Sequence, residues 1–357
     1  MAIVYGSSAP MFAARTLERD RFVFSSMGGG YVLMAFMPRQ QAAEAMALVR
    51  QVIDPLKPYL NDQFVSFFGV IQDPSVADIL RSEAPGIRWF LDFDGEVSRL
   101  YGAVDEAGVE RPQWILLDPA LRALVVAPLS NPGPILQLAK LPRPDLHAGV
   151  DSPAPVLLAP RIFEREFCHR LIRYYDEKGG QASGFMMEEG GVTVARQNPL
   201  RKVRYDATID DEALCVDIRA RIQVRLAPFI LRAFQFRPTR IERYIVASYD
   251  TETGGHFHRH RDNTTKGTMH RQFAVSINLN AEDYEGGDLR FPEFGARLYR
   301  PPTGGALVFS CSLLHEVTKM TSGRRYAVLP FLYDEASAEI RQANLAHLDP
   351  ALSSVGQ

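Results

Sequence analysis

Apolar positions along this chain come first as short unbroken runs. Tyr31 to Phe36 reads YVLMAF between Gly28, Gly29, Gly30 and Pro38, and Phe64 to Ile71 reads FVSFFGVI ahead of Asp73. A run apolar at every position predicts a strand buried on both faces. Between the two runs QQAAEAMALVRQVIDPL predicts a helix, and a shorter helical stretch follows Asp73. Further strands are expected at Trp114 to Asp118 (WILLD) and Ala123 to Ala127 (ALVVA), and strands alternating with helices predict an α/β layer. From Leu129 to Val156 prolines stand at 132, 134, 142, 144, 153 and 155, too many for a helix or a central strand. A domain boundary is therefore expected near residue 150.

Beyond it, helical periodicity covers Glu164 to Lys178 and Asp211 to Ala233. The pattern then changes to short strands between Gly and Pro turns: RIERYIVASYD, RQFAVSINLN, DLRFPEF, ARLYRPP, GALVFSC, HEVTKM and RRYAVLPFLY. That succession predicts an antiparallel sandwich or barrel with supporting helices. The expected organisation is a first domain over 1–150, a second over 151–340 and a tail over 341–357.

A length of 357 residues suits two such domains, and 46% hydrophobic with 23% charged residues is enough for ordinary globular cores. Forty basic against 42 acidic residues give a net charge of -2, without the broad basic field that draws nucleic acid. The N-terminus lacks the basic start and apolar run of a secretion signal, and no apolar stretch nears the roughly 18 residues that span a bilayer. A cytoplasmic protein with no membrane partner is expected. Cys168, Cys215 and Cys311 are too few and too widely spaced for a disulfide framework or a thiolate zinc site, and read as reduced, buried thiols.

Candidate chemistry begins in GGHFHRHRDN. His260 and Asp262 are two apart, which on a strand turns an imidazole and a carboxylate to one face, where both can reach one metal ion. His315, 53 residues beyond Asp262, would complete two histidines and one carboxylate, a set that leaves positions open on Fe(II). A second His-x-Asp, His347 to Asp349, has neither a strand pattern nor a later histidine. Ten residues past His315 stands Arg325, whose planar fork matches the remote carboxylate of a dicarboxylic keto acid.

Over about residues 155 to 335 the ordered motifs resemble the prolyl-4-hydroxylase-like branch of the 2-oxoglutarate oxygenases. They are Tyr249, Gly254, Phe257, His260 and Asp262, then Arg271, then Gly286, Gly287 and Asp288, then Pro301 and Gly304, then His315, Gly323 and Arg325. The resemblance implies a double-stranded β-helix, or jelly-roll, with Fe(II), 2-oxoglutarate as co-substrate and O2. It makes His260, Asp262 and His315 the catalytic iron ligands and Arg325 the 2-oxoglutarate anchor. Tyr249 would lie near the co-substrate, and Arg271 either near substrate or behind the metal ligands. Phe257 stands where many relatives have tyrosine, and Arg324 beside Arg325 leaves the anchor open by one residue. The implied activity is hydroxylation of a peptidyl or amino-acid-like substrate; the alternative is a non-catalytic protein that senses oxygen or 2-oxoglutarate. The cations from His256 to Arg271 either form a solvated loop that offsets acids such as Asp283 and Glu285, or border the mouth and attract an acidic substrate.

Residues 5 to 130 resemble the peroxiredoxin branch of the thioredoxin-like family, through GGGYVLMAFMPR, a helix, FVSFFGVIQD, GIRWFLDFDGEVSRLYG and RPQWILLDP. Where that family carries its reactive cysteine this chain reads PRQQAAEAMALV, and no cysteine precedes Cys168. The domain is expected to act as a scaffold, a homodimer contact or a partner surface. Pro112 falls where that family often has a cis-proline.

Overall fold

Strands β1 (Tyr31–Phe36) and β2 (Val65–Ile71) are buried at every position, as runs without alternation require. With α1 (Ala42–Ile53) between them, they join β3 (Ile87–Leu91), β4 (Gln113–Leu117) and β5 (Ala123–Pro128) in a sheet of order β3-β2-β1-β4-β5. The first three strands are parallel, and β4 runs antiparallel to both of its neighbours, β1 and β5. Alternate residues feed two cores: Leu33, Phe67 and Trp89 pack with Met46 and Val49 of α1, while Val32, Phe68 and Phe90 face the opposite layer. Gly69 is forced by this packing, since a Cβ there would lie 2.1 Å from the Trp89 ring. The stretch after Asp73 is a 3-10 turn, Pro74–Ile79, and the proline-rich segment holds two more. Among the described residues the cis X-Pro bond is Ala84–Pro85, not the bond to Pro112.

The computed structural model describes residues 3–349, in two units: Met1–Ala154 with Phe291–Ala296, and Pro155–Arg290 with Arg297–Gln357. The second unit opens with β6 (Leu157–Ala159) and the amphipathic α2 (Arg165–Lys178), which buries Phe167, Cys168, Leu171 and Tyr175. After an edge strand, Gln181–Ala182, and a hairpin of Phe185–Glu189 with Val192–Arg196 come β7 (Lys202–Val203) and β8 (Tyr205–Thr208). The expected helix from Asp211 is capped by that carboxylate but divides into α3 (Glu212–Arg221) and α4 (Ala227–Phe234) around a π turn, Ile222–Leu226. Pro228 accounts for the division, because it has no N–H to give the preceding turn and its ring crowds that turn's carbonyl.

The strands that follow are β9 (Arg240–Glu242), β10 (Ile245–Asp250), β11 (His256–His260), β12 (Phe273–Asn278), β13 (Leu289–Arg290) and β14 (Leu298–Tyr299). Then come β15 (Ala306–Ser310), β16 (His315–Val317), β17 (Ser322–Val328) and β18 (Phe331–Tyr333). The larger sheet runs β9-β18-β12-β17-β10-β8, with β15 on the other edge of β12 and β6 beyond it. The smaller runs β7-β11-β16-β13-β14. Two antiparallel sheets of this kind are consistent with a jelly-roll core. Pro330 cannot donate to a ladder, so one long run becomes β17 and β18, which share an edge of β12. Arg243, at φ +70°, separates β9 from β10, and Pro292 ends β13 in a 3-10 turn.

The core of this unit joins Leu171 and Ile218 of the helices to Val246, Val275, Ile277, Val308 and Val328 of the larger sheet. Each such side chain contributes about 1.5–3 kcal/mol by leaving water. The expected tail is in part a helix: α5 (Glu335–Ala343) starts on the Asp334 carboxylate, and Leu348 bridges to Thr193. Residues 350–357 of that tail lie outside the described residues. No helix among the described residues is long and apolar enough to cross a membrane.

Gly304 ties the start of α2 to the larger sheet. Its carbonyl accepts the amides of Ile162 and Phe163 at 2.8 and 2.9 Å, its φ is +75°, and a Cβ would meet the Phe163 oxygen at 2.1 Å. Gly304→Ala should therefore cost about 1–3 kcal/mol of stability, visible as a lower urea midpoint; an unchanged midpoint would show that this turn relaxes freely.

Candidate metal centre

His260 ends β11 and His315 begins β16, and the antiparallel register sets the two directly opposite each other. A bulge between Phe257 and His260 makes this match, since the ladder otherwise pairs Phe257 with Val317. Asp262 is not on the strand, as a shared face would demand. It lies in the turn beyond, where its amide donates to the Cys311 carbonyl at 3.0 Å. The two side chains that the spacing singled out are brought together, but by a different geometry.

One ligand atom from each of His260, Asp262 and His315 falls within 4.8 Å of the other two, a grouping that could hold a metal ion. The Nε2 atoms of His260 and His315 stand 3.6 and 3.4 Å from the two oxygens of Asp262. Each histidine turns Nδ1 to a main-chain carbonyl, His260 to that of His258 at 2.8 Å and His315 to that of Leu313 at 3.0 Å. A carbonyl can only accept, so Nδ1 carries the proton and the Nε2 lone pair points inward. Burial, and then the charge of His315, push His260 down to about 4, so its ring is neutral near pH 7. Burial raises the Asp262 carboxyl, but His315 and His260 outweigh it and hold the group below the usual carboxylate range. Imidazole nitrogens together with one anionic carboxylate suit a borderline divalent ion.

Aromatic rings wall the centre. Phe257 stacks on His260 with centroids 3.5 Å apart, and Phe309 meets His315 edge-on at 4.7 Å. Cys311 is buried with the other two cysteines, all of them free thiols.

Arg325, on β17, is 2% exposed. Its guanidinium donates to Ser276 Oγ at 2.7 Å, the Gly287 carbonyl at 2.7 Å and Asn278 Oδ1 at 3.2 Å, and lies 5.4 Å from the ring of Tyr249 on β10. Arg324 points the opposite way, exposed and ion-paired with Asp250. Tyr284 pairs in register with Gly323, two residues from Arg325, and its buried hydroxyl has no well-formed hydrogen bond among the described residues. The sequence reading missed Ser276 and Asn278, although two polar residues spaced by two inside the apolar run FAVSIN signal an inward polar pair.

Arg271 requires a correction. Instead of waiting at an open mouth it is 7% exposed, with Nη2 2.6 Å from Glu242 Oε1 and Nη1 3.4 Å from the Asp262 carbonyl. His270 joins it, with Nε2 2.6 Å from Glu242 Oε2. The supposed surface patch is thus partly wall, and Arg259 ion-pairs with Glu316. His347 faces the Gly191 carbonyl and stands outside the grouping.

Residues 244–333 match the 2OG-Fe(II) oxygenase superfamily. A PKHD-type hydroxylase of Shewanella sp. (strain ANA-3) is 26% identical over 211 residues, 55% of this chain and 86% of that protein. Another, of Alteromonas mediterranea, is 33% identical over 75 residues, 21% of this chain and 33% of that one. A Pseudomonas putida prolyl-4-hydroxylase structure covers 51% of this chain and 93% of its own at 17% identity and a TM-score of 0.36. The C-terminal part of the chain carries a 2OG-Fe(II) oxygenase domain whose sequence relatives are PKHD-type hydroxylases, and so is a 2-oxoglutarate-dependent dioxygenase of a family that uses Fe(II), 2-oxoglutarate and O2.

Proposed function

We propose that this domain hydroxylates a C–H bond of a peptidyl or amino-acid-like substrate, with Fe(II) held by His260, Asp262 and His315 and the remote carboxylate of 2-oxoglutarate anchored by Arg325. The observation that carries the reading is the close grouping of three complementary ligand atoms in the unit that also buries a carboxylate-matched arginine. Hydroxylation follows the names of the sequence relatives, which are PKHD-type hydroxylases.

Bound Fe(II) with 2-oxoglutarate would supply the oxidising power, drawn from dioxygen. The protein's part is position. The carbonyls of His258 and Leu313 fix the histidine tautomers, and Phe257 and Phe309 keep water off the rings. Ser276, Asn278 and Gly287 hold the Arg325 fork in one orientation, so little freedom is lost when a carboxylate meets it. Tyr249 forms the floor beside that fork, and the buried Tyr284 hydroxyl is a second donor for the same carboxylate. Arg271 acts through the main chain of Asp262.

The same proposal gives the first unit a thioredoxin-like fold that serves packing or partner binding. Its support is a mixed sheet in which β4 alone runs against the other four strands, with no cysteine for thiol chemistry.

His260→Ala, Asp262→Ala and His315→Ala should each abolish both Mn(II) binding and succinate formation from 2-oxoglutarate, while His347→Ala leaves both intact. Full activity in any of the three would refute the ligand set. Arg325→Ala should raise the Michaelis constant for 2-oxoglutarate far more than Arg324→Ala, because losing one partner of a buried charged pair costs about 2–5 kcal/mol, or one to four decades of affinity. The reverse order would make Arg324 the anchor. Arg271→Ala should lower folding stability by about 3–5 kcal/mol by stranding Glu242, a loss that chemical denaturation would register. Normal stability with a raised Michaelis constant for substrate would return Arg271 to a direct contact.

A further inference from the structure

Five cations gather about the candidate centre, interleaved with aromatic rings. Lys202 Nζ lies 4.8 Å from the Phe257 ring that stacks on His260, while Arg204 and Arg325 both lie against Tyr249, at 6.0 and 5.4 Å. Arg243 and Arg271 lie against Phe331 at 4.6 and 4.1 Å. Carboxylates answer two of the five: Asp206 binds Arg204 at 2.6 and 2.7 Å, and Glu242 binds Arg271. Asp262 is the third acid, so two positive charges remain. A divalent ion with a dianionic co-substrate leaves that balance unchanged.

The two cations left over are Lys202 and Arg243. Lys202 is 7% exposed, and its ammonium donates only to neutral oxygens, Ser183 Oγ at 2.8 Å and the Gly184 carbonyl at 2.5 Å. Arg243 donates to the Leu329 carbonyl at 2.9 Å and forms no ion pair among the described residues. Its φ of +70° is one that side-chain-bearing residues avoid, and such backbone persists where the surroundings impose it. Burial and the charge of Arg204 depress both groups, Lys202 well below the usual lysine range and Arg243 to about 10. A buried cation with only neutral partners is costly unless a counter-ion arrives.

We infer that Lys202 and Arg243 receive a carboxylate or phosphate of the primary substrate, which is therefore an anion. This rests on the hydroxylase reading above, with Arg325 committed to the co-substrate. A neutral peptide would leave both cations unanswered, whereas an acidic group held there would fix which C–H bond faces the metal.

The test is calorimetric titration of the full chain, loaded with Mn(II) and saturating 2-oxoglutarate, with three probes: N-acetylglycine, its neutral twin N-acetylglycinamide, and inorganic phosphate. One or both anions should bind and the amide should not; the tighter anion tells a carboxylate substrate from a phosphate ester. Lys202→Met and Arg243→Asn should each weaken anion binding at least about tenfold, as expected for one partner of a buried charged hydrogen bond. Asn tolerates the left-handed backbone, so that variant removes charge without adding strain. Lys202→Arg and Arg243→Lys should retain binding, and all four should bind 2-oxoglutarate normally. Equal binding of the amide, no anion binding by the parent chain, or undiminished binding in both charge-removing variants would overturn the inference. The same titration on metal-free protein separates the two claims: failure to bind Mn(II) counts against the metal assignment, and failure to bind anions counts against this one.

Discussion

The direct opposition of His260 and His315 across two antiparallel strands is the constraint on which the centre depends. Neither ring could be held by its own strand alone. The bulge between Phe257 and His260 brings the rings to 4.2 Å between centroids, and the Cys311 carbonyl then holds Asp262 beneath them through its amide. Because Cys311 lies between β15 and β16, the turn that delivers His315 also places the carboxylate. Three side chains far apart in sequence are thus positioned by one strand pairing and one main-chain hydrogen bond.

Much of this was legible in the residues. Unbroken apolar runs marked β1 and β2 because both faces of that sheet are covered, and spacing with ordered motifs singled out the two histidines and the carboxylate that the fold groups. What stayed hidden depended on partners remote in sequence. Nothing near Arg271 announces Glu242, so a buried ion pair read as a surface patch. Arg324 and Arg325 looked equivalent because their strand is apolar beyond them, and only the pairing with β10 shows one turned to Asp250 and the other inward. The π turn before Pro228 and the split at Pro330 were readable in principle, since proline interrupts both ladders for the same reason.

A net charge of -2 conceals an uneven distribution. Cations divide between surface and interior, as where Arg324 pairs with Asp250 at the surface one residue from the buried Arg325. Inside, Arg204, Arg243, Arg271 and Arg325 each also rest on an aromatic ring, which compensates part of the desolvation that a guanidinium suffers. Composition therefore reports on solubility and says little about the field a bound molecule meets.

The candidate metal ligands belong to the smaller sheet or its following turn, whereas Arg325 and Tyr249 belong to the larger. On the proposed roles, a co-substrate must reach from one sheet to the other. Stacked sheets keep a spacing of about 10 Å, set by the bulk of the side chains between them. The core then acts as a ruler, and the chain length of the keto acid accepted is a property of packing: residues that never touch the acid, by thickening or thinning the layer, would change which homologue fits.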